Sequence, residues 1–466
     1  MLKKPSPEQT TLEMVTLEMV TLEMVTLEEL VPKDHLLRKI EAVIDFSFIH
    51  ERVAGLYCAD NGRPPLDPTL MFKALFVGYL FGIRSERQLV RETEVNVAYR
   101  WFLGLKLTDR VFDASTISQN RRRRFQDDGV PRAIFEAIVE QAISHGLVDG
   151  RVLYTDSTHL KANANKNRFD WEPRAKSTAD YWDDLDAAVE AERAAHGQKP
   201  LQRREREPAV KDTKVSRTDP DSGYMVRDGK PKGFFYLDHR TVDARLAIIT
   251  DTCTTPANVH DSIVYLSRLD HQRARFGFAV GAVGLDAGYA TAGIAKGLED
   301  RQILGVTGYR NPTPPKPGMM RKSKFIFEAA ADGYRCPQGQ VLAYATTDRH
   351  GYRHYRSDPA ICRTCPLLAS CTTNAKAIRT ITRHVWAEAR ERADAHRLTP
   401  WGKAIYKRRK ETVERSFADA KQLHGHRYAR FRSLIRVSSQ CLLAAAAQNI
   451  KKIAMAVTRN PEPAPA

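Results

Sequence analysis

Between residues 151 and 309, short apolar segments of strand composition alternate with segments of helical spacing, and this alternation limits the fold more than any other feature of the chain. The run "RVLYTDST" opens the series, and we predict that its strand stops at Asp156. An antiparallel strand pair is predicted for "GFFYLDHRTVD" and "RLAIITDTCTT", and a helix for "HDSIVYLSRLDHQR". The run "AVGLDAGYAT" predicts a strand that ends at Asp286, and "AGIAKGLEDRQILGVTGY" a helix and another strand. Together these segments indicate an α/β fold with a mixed sheet and helices on its faces.

Two segments interrupt this pattern. Residues from about 161 to 232 are too polar for a core, and we expect an insertion made of a helix and a flexible arm. The prolines of "RNPTPPKPG" mark a second boundary near residue 310, after which a cysteine-containing segment begins.

From "VPKDHLLRKI" to about residue 148, the apolar residues have helical spacing. Asp67 and Pro68 predict the N-cap and first position of a helix through "TLMFKALFVGYLFGI", which is apolar around its circumference and is therefore expected to be buried. A later helix is predicted to begin at Asp113 or Ser115. It closes in four consecutive arginines, Arg121, Arg122, Arg123 and Arg124. Helix-turn-helix DNA binding and solvated arginines on a structural bundle both account for this basic edge.

The N-terminus contains the pentamer "TLEMV" three times in succession, from Thr11 to Val25, followed by the partial copy "TLEEL". A period of five turns an ideal helix by about 140° per unit and reverses the face of a strand, so it maintains no apolar stripe. We expect residues 1–32 to be a dispensable leader without regular structure, with a recognition arm as the alternative.

The chain has 73 Lys and Arg against 56 Asp and Glu, a net charge of +17. This excess favours a polyanionic partner, and nucleic acid is the leading class, with a basic enzyme that has no such partner as the alternative. The longest apolar runs, such as "CLLAAAA", are far shorter than the roughly 20 residues of a membrane span, and no apolar signal core follows the first residues. We expect a cytoplasmic protein with no membrane partner.

Four of the seven cysteines cluster in the segment after residue 335. They are Cys336, Cys362, Cys365 and Cys371, and the middle two form a C-x2-C pair. Thiols in a cytosolic chain stay reduced, so the cluster indicates a structural Zn²⁺ site of four thiolates rather than disulfides, with four ordinary thiols as the alternative. The other three lie in apolar contexts and are predicted to be core residues: Cys58, Cys253 and Cys441.

Three acids are candidates for a common site. Asp156 and Asp286 follow apolar strand runs, and ligands of an open α/β sheet are met at the ends of its strands. For either residue alone, a turn aspartate bonded to its own backbone is the alternative. Glu414 lies in "RRKETVERSFADAK", the most basic stretch of the chain, on a helix face that it shares with Lys421. The inward face of that helix is predicted to be Val413, Phe417 and Ala420.

A carboxylate that faces a phosphodiester repels it unless a divalent cation stands between them. A pair of cations about 3.5 to 4 Å apart stabilises both the attacking and the leaving oxygen of phosphoryl transfer. Mg²⁺ prefers a few carboxylates and keeps its other positions for water and substrate oxygens. Three acids within a basic surface therefore predict metal-dependent chemistry on DNA, with Lys and Arg holding the strand by its phosphates.

The chain resembles the DDE transposases of bacterial insertion sequences over most of its length after residue 26. The resemblance is carried by "LEELVPKDHLLRKI", "GRPPLDPTLMFKALFVGYLFGIRSERQLVRE", "DASTISQNRRRRF", "YTDSTHLKANANK", "GLDAGYAT" and "VERSFADAKQLHGHRYARFR". It implies an RNase H-like catalytic core, with Asp156, Asp286 and Glu414 as the catalytic triad that binds Mg²⁺ or Mn²⁺. It also implies double-stranded DNA partners, namely the terminal inverted repeats and the target, bound by a homo-oligomer associated with the nucleoid.

Related transposases carry a Tyr, Arg, Glu, Lys signature on the glutamate helix. Tyr406, Glu414 and Lys421 fit this signature, whereas the arginine is one position off and falls on Arg409 or Lys410. The resemblance implies that these residues contact DNA, with Lys421 at a phosphate beside the scissile bond. The residues assigned to DNA are therefore Lys421, Tyr406, Arg409, Lys410 and the four arginines at 121–124.

The predicted organisation is an α/β, RNase H-like core with an all-helical N-terminal domain and a cysteine-containing insertion. Its segments are the leader 1–32, the helical DNA-binding domain 33–148, the first catalytic part 149–310, the cysteine-containing insertion 311–399, the glutamate and C-terminal helices 400–457, and the tail 458–466. Two other functions fit the same sequence. One is a plain RNase H-like nuclease that never joins strands, and the other is a non-catalytic, zinc-stabilised DNA-binding regulator.

Overall fold

The structure is a computed structural model that describes residues 10–11, 25–57, 66–125, 127, 129–175, 181–201, 210–226, 229, 231–309 and 316–459. Residues 12–24 of the TLEMV repeat, Cys58 and residues 460–466 lie outside the described residues. Within the leader, Thr10–Thr11 pairs in antiparallel fashion with Val25–Thr26. The expectation of a leader without regular structure is wrong for the described part of residues 1–32, because this strand pair is followed there by a helix at Leu27–Leu30. That the leader is dispensable and that Cys58 is a core residue stay predictions.

The region before residue 150 is helical, as the spacing of its apolar residues predicted. Its α-helices are α1 Leu27–Leu30, α2 Leu36–Val43, α3 Phe48–Val53, α4 Pro68–Leu80, α5 Glu86–Val95, α6 Val97–Leu103, α7 Ala114–Arg123 and α8 Gly129–Ser144. Asp67 caps α4 by accepting a hydrogen bond from the Thr69 amide at 2.7 Å, and Pro68 is the first helical residue, which confirms the predicted start. Asp113 caps α7 in the same way. The centre of α4 is buried, as its apolar circumference predicted.

The rest of the chain contains thirteen described strands and nine further α-helices. The strands are β1 Val152–Lys161, β2 Phe169–Ala175, β3 Val210–Ser216, β4 Gly223–Met225, β5 Gly233–Asp243, β6 Ile249–Pro256, β7 Ala282–Leu285, β8 Leu304–Thr307, β9 Ile326–Glu328, β10 Gly333–Arg335, β11 Val341–Thr347, β12 Tyr352–Arg356 and β13 Thr380–His384. The helices are α9 Trp182–Ala195, α10 Tyr265–Phe276, α11 Ala292–Asp300, α12 Pro359–Cys362, α13 Leu368–Cys371, α14 Ala387–Leu398, α15 Pro400–Arg408, α16 Val413–Gln422 and α17 Leu434–Val457.

The central sheet is mixed, as predicted, with strand order β8-β7-β1-β5 and with β6 and β4 both paired to the far edge of β5. Strands β8, β7 and β1 are parallel, and β5 runs antiparallel to β1, β4 and β6. The prediction that the first strand stops at Asp156 is wrong, because β1 continues to Lys161. The long strand β5 supplies the reason: it pairs with β1 from Leu153 to Lys161 without interruption.

Helix α17 lies at the centre of the core. It packs on α2, α4 and α8 of the N-terminal region and on β6 of the sheet. Residues Ala444–Ala447 are fully buried, and their small side chains allow neighbouring helices to approach closely. One continuous apolar core therefore joins the N-terminal helices to the sheet. No helix in the described residues is long and apolar enough to cross a membrane.

The two insertions contain regular structure. The polar insertion predicted at 161–232 holds the antiparallel pair β2–β3, helix α9 and the short strand β4. The cysteine-containing segment forms an antiparallel sheet of five strands in the order β9-β10-β11-β12-β13, which the sequence analysis did not predict. Leu185 and Val189 of α9 pack against Trp386, and Arg193 of α9 donates to the Thr347 carbonyl at 2.8 Å. The two insertions therefore contact each other beside the central sheet.

A buried charge network ties the sheet to the two C-terminal helices. The Asp238 carboxylate on β5 accepts from Arg240 Nε at 2.9 Å, from His426 Nε2 at 2.9 Å and from Thr252 Oγ1 at 2.7 Å. Burial alone would raise the pKa of Asp238, but Arg240 and His426 hold that pKa below its ordinary value. Arg240 Nη1 also donates to Ser416 Oγ of α16 at 3.3 Å. Although the Cys441 sulfur lies near Asp238 and His426 as well, this carboxylate already has its partners.

Replacing Arg240 by Met should destabilise the fold by about 3 to 5 kcal/mol, because Asp238 would be left buried and unpaired. The measurement is urea unfolding of the two proteins. Arg217→Met is the matched control, since Arg217 forms an exposed pair with Asp170 and should unfold at the wild-type midpoint. A loss for Arg240→Met no larger than that of the control would contradict a structural role for the network.

Candidate active site

Asp156 and Asp286 lie side by side on the central sheet. Strands β1 and β7 are parallel neighbours, and their last paired residues are Thr155 and Leu285. Asp156 directly follows Thr155, and Asp286 directly follows Leu285, so the two aspartates are neighbours across the sheet. They lie at the point where β7 ends and β1 continues. The prediction that Asp286 follows a strand is confirmed, and the register explains the proximity of Asp156 although its strand does not end there.

Glu414 reaches the same place from α16. The predicted inward stripe is confirmed, because Val413, Phe417 and Ala420 are all buried against the core. Glu414 lies in the first turn of the helix, on its exposed side. A tight turn of four residues joins α15 to α16, and the Glu414 amide donates to the Arg409 carbonyl across it at 3.1 Å.

The guanidinium of Arg409 lies among the three carboxyl groups. Arg409 Nη2 is 2.7 Å from Asp156 Oδ2, and Nη1 is 3.6 Å from Asp286 Oδ1 and 3.6 Å from Glu414 Oε1. The Arg409 side chain is only 3% exposed, whereas Asp286 and Glu414 are 48% and 44% exposed. Three acids that are far apart in the sequence, Asp156, Asp286 and Glu414, therefore surround the positively charged side chain of Arg409.

The pKa of the Asp156 carboxyl is raised to about 6, chiefly by burial and to a smaller extent by the nearby charges of Asp286 and Asp261. The Arg409 guanidinium and the Ser157 amide oppose this shift. Negative charge at this point is thus only partly balanced by Arg409. A carboxylate in such surroundings gains stability from any additional cation.

A cleft of about 360 Å³ opens beside the aspartates. Lys421 lines it and donates from Nζ to Thr158 Oγ1, two residues beyond Asp156 on β1, at 2.5 Å. Asp261 lines it as well, and accepts from Ser157 Oγ at 2.9 Å. Asp261 was not predicted as a site residue. Its position shortly after the end of β6 is the sequence feature that could have indicated it, because ligands of an open α/β sheet are met at strand ends.

The remaining signature residues differ in their surroundings. Tyr406 is half-buried, and its hydroxyl lies 3.4 Å from Arg409 Nη1. Lys410 is exposed. Arg409 was expected to contact DNA, but its guanidinium is engaged by the carboxylates, so contact with a phosphate requires it to leave them.

The four arginines at the end of α7 divide into two pairs. Arg121 is paired with Glu86 and stacked at 4.0 Å on the Phe431 ring, and burial lowers its pKa to about 10. Arg124 stacks on the Tyr57 ring at 4.5 Å. Only Arg122 and Arg123 of the four have exposed side chains. Half of the basic edge therefore serves internal contacts.

The four clustered cysteines line one cavity of about 40 Å³. Burial raises the pKa of the Cys371 thiol; Arg379 opposes that shift, and the other three thiols add to it. The Cys365 amide donates to the Cys362 carbonyl at 3.1 Å, which closes the C-x2-C turn. Among the described residues, however, no three of these sulfur atoms lie within 4.8 Å of one another. The donors are suitable for zinc, but their spacing is wider than a bound ion requires. Of the remaining thiols, Cys441 is buried, as predicted, and Cys253 is partly exposed.

Two family models match the sequence. One, described as "Transposase domain (DUF772)", matches residues 25–123, and the other, described as "Transposase DDE domain", matches residues 335–454. The chain belongs to the DDE transposases. Enzymes of this family catalyse DNA transposition, a form of DNA recombination, and use divalent metal ions. The second match includes Glu414, Arg409 and Lys421.

Among solved structures, the chain is similar to a piggyBac transposase in a synaptic complex with hairpin DNA, studied by cryo-EM. The identity is 10%, the alignment covers 92% of this chain and 76% of the other, and the TM-score is 0.35. No curated protein sequence matches this chain.

Proposed function

We propose that this transposase binds the terminal inverted repeats of an insertion sequence, cleaves DNA there and joins the freed ends to target DNA. In this proposal the central sheet is an RNase H-like core, and Asp156, Asp286 and Glu414 are its catalytic triad. The observation that supports it is the convergence of these three carboxyl groups on the single guanidinium of Arg409.

The carboxyl groups suit Mg²⁺ or Mn²⁺. They are hard oxygen donors, two of them are substantially exposed, and they surround a position that already attracts a cationic group. Bound cations would supply an activated water for cleavage and stabilise the attacking and leaving oxygens. Asp156, which is the most buried of the three, would fix the position of the site relative to β1.

Other residues of the chain would hold the substrate. Lys421 lies in the cleft, where its ammonium group would contact a phosphate beside the scissile bond. Tyr406, whose hydroxyl lies 3.4 Å from Arg409 Nη1, and the exposed Lys410 would contact the strand. Arg122 and Arg123 remain exposed for DNA bound by the helical region. Synapsis of two ends would require a homo-oligomer.

The catalytic triad is tested by Asp156→Asn, Asp286→Asn and Glu414→Gln. Each change should lower the rate of strand cleavage by more than about 100-fold, because it removes a metal ligand rather than one of its supporting partners. Binding of element ends in EDTA should persist. The measurements are cleavage of an end-bearing duplex and transfer of a pre-cleaved end.

Asp419→Asn is the matched control, since Asp419 is an acid on α16 that pairs with Arg415 outside the site. Full cleavage by any triad variant would remove that residue from the triad. Cleavage without joining of pre-cleaved ends would favour a plain nuclease, and EDTA-resistant binding without any turnover would favour a regulator.

Arg409 is proposed to balance the carboxylates until cations displace it. Without metal, Arg409→Gln should lower the free energy of unfolding by on the order of 3 kcal/mol, because Asp156 would lose its nearest positive charge. Adding Mn²⁺ should restore most of that loss, so the rise in unfolding midpoint on adding Mn²⁺ should be larger in the variant than in the wild type.

Arg415→Gln is the control for this comparison, because Arg415 is an exposed arginine of α16. It should respond to Mn²⁺ as the wild type does. An equal loss of stability in EDTA and in Mn²⁺ would show that Arg409 has a purely structural role.

The cysteine cluster is proposed to bind one structural zinc, with the four sulfur atoms drawn together around it. The observation in favour is that all four thiols line one small cavity. Elemental analysis of protein purified without added metal should find about one zinc per chain. Cys362→Ser should lose it, whereas Cys253→Ser, a thiol outside the cluster, should retain it. Zinc-free wild-type protein would exclude the site.

A further inference from the structure

Two turns from distant parts of the sequence pack backbone against backbone beside the active site. One follows α4 and contains Gly82, and the other follows α16 and contains Gly425. Both glycines have left-handed φ angles, +70° and +63°. A Cβ atom on Gly82 would lie 3.0 Å from the Leu423 carbonyl oxygen. Any other residue at this position would therefore have both a strained backbone and a close contact with that oxygen. His424 secures the contact by a hydrogen bond of 2.9 Å between its Nδ1 and the Tyr79 carbonyl.

This contact brings together an aromatic ring and two cations. The Tyr428 ring is 47% exposed, with the Arg84 guanidinium 5.6 Å and the Lys161 ammonium 5.9 Å from its centroid. Both distances are within the range of cation–π attraction. The backbone of Lys161 also pairs with this segment, because the Ala429 amide donates to its carbonyl at 2.8 Å. We call the surface formed by Arg84, Lys161, Arg427 and Tyr428 the basic seam.

The basic seam adjoins the active-site cleft. Lys161 is the last residue of β1, and Asp156 lies five residues earlier, which is about 17 Å along an extended strand. Arg427 donates from Nε to the carbonyl of Lys421, whose ammonium group lines the cleft.

On its other side the basic seam meets a groove in the helical region. Arg84 lines both, and the groove has a volume of about 920 Å³. Its cationic side chains are Arg84, Arg87, Arg91, Arg121 and Arg430, and its acids are Glu86, Glu94 and Asp113. Two of these acids are already engaged, since Glu86 pairs with Arg121 and Asp113 caps α7. The groove therefore has an excess of positive charge.

The cations of the basic seam have no acidic partner within the described part of the chain. No carboxylate there lies within 4.0 Å of the charged groups of Arg84, Lys161 or Arg427, whereas other arginines of the chain, such as Arg240, Arg353 and Arg392, are paired with acids. All three side chains are exposed. Like charges gathered in this way repel one another unless an external anion is bound.

We propose that the basic seam binds the phosphate backbone of double-stranded DNA, so that one duplex contacts the active-site cleft and the groove of the helical region together. The proposal rests on the proposed function for the identity of the polyanion. Tyr428 fixes the direction of the two cations beside it, and the paired glycine turns hold the helical region and the sheet in one orientation.

The test is the salt dependence of binding to a fluorescently labelled random-sequence duplex in EDTA. Each released phosphate contact changes the slope of log K against log salt concentration by about 0.9. Arg84→Gln, Lys161→Gln and Arg427→Gln should each reduce the slope by about this amount, and the triple variant by about three times as much. Arg392→Gln should leave the slope unchanged, because it removes an exposed arginine of α14 that is already paired with Glu299 of α11.

A second readout separates this proposal from the catalytic one. The triple variant retains every residue of the triad, so cleavage at saturating DNA should proceed at the wild-type rate, with only the half-saturating DNA concentration increased. If Asp156→Asn leaves cleavage intact while the seam variants still reduce the salt slope, the catalytic role of Asp156 is refuted and DNA binding by the basic seam is supported. If the triad variants abolish cleavage while the salt slope is unchanged in the triple variant, the seam is refuted alone.

Unfolding midpoints of all variants show whether a change is due to misfolding, which exposed side chains should not cause. A slope reduced equally by Arg392→Gln would indicate a general effect of net charge and would overturn the proposal. So would an unchanged slope accompanied by a change in oligomeric state on sedimentation, because the surface would then bind a second copy of the chain.

Discussion

The concentration of negative charge where β7 ends is the constraint on which the rest of the site depends. Three carboxyl groups brought within reach of one guanidinium concentrate negative charge in a partly buried place, and this arrangement needs positive charge close by. Arg409 provides it, and the turn between α15 and α16 directs Arg409 inward. The loop that carries Arg409 leads directly into α16, and α16 is held in place because its Phe417 and Ser416 contact the buried Arg240. Charge balance at the surface is thus tied to charge balance in the core.

The sheet and the three acids were predictable because their signals are local. A β-branched run followed by an aspartate indicates a strand and a side chain near its end. The helix carrying Glu414 shows its inward stripe of Val413, Phe417 and Ala420 within about two helical turns. What local signals do not supply is register. The sequence placed Asp156 at the end of a strand, whereas β5 extends that strand to Lys161 by pairing along its whole length. The two aspartates are adjacent because of a pairing between distant segments, which no local pattern specifies.

Arg409 was a candidate from the sequence, but its inward position among the carboxylates was not predicted, and neither was the five-stranded sheet, because both depend on contacts between distant segments. One arginine among four consecutive basic residues, Lys407 to Lys410, is not distinguishable by composition, and only the end of α15 selects which one turns inward. The strands of the cysteine-containing segment are three to seven residues long and mostly polar, so neither their length nor their alternation is marked. They are stabilised by pairing with each other and by contact with α9, whose acidic surface gave no indication of that partner.

Helix α17 has a consequence for the order in which the protein is completed. A ribosome delivers residues 434–457 after both the helical region and the sheet, yet those residues fill the centre of the core that the two share. Until they emerge, the faces of α2, α4 and α8 that pack on α17 lack that partner, and apolar surface exposed in this way favours aggregation. We therefore expect that premature termination anywhere before this helix yields an unstable fragment rather than a stable half-protein.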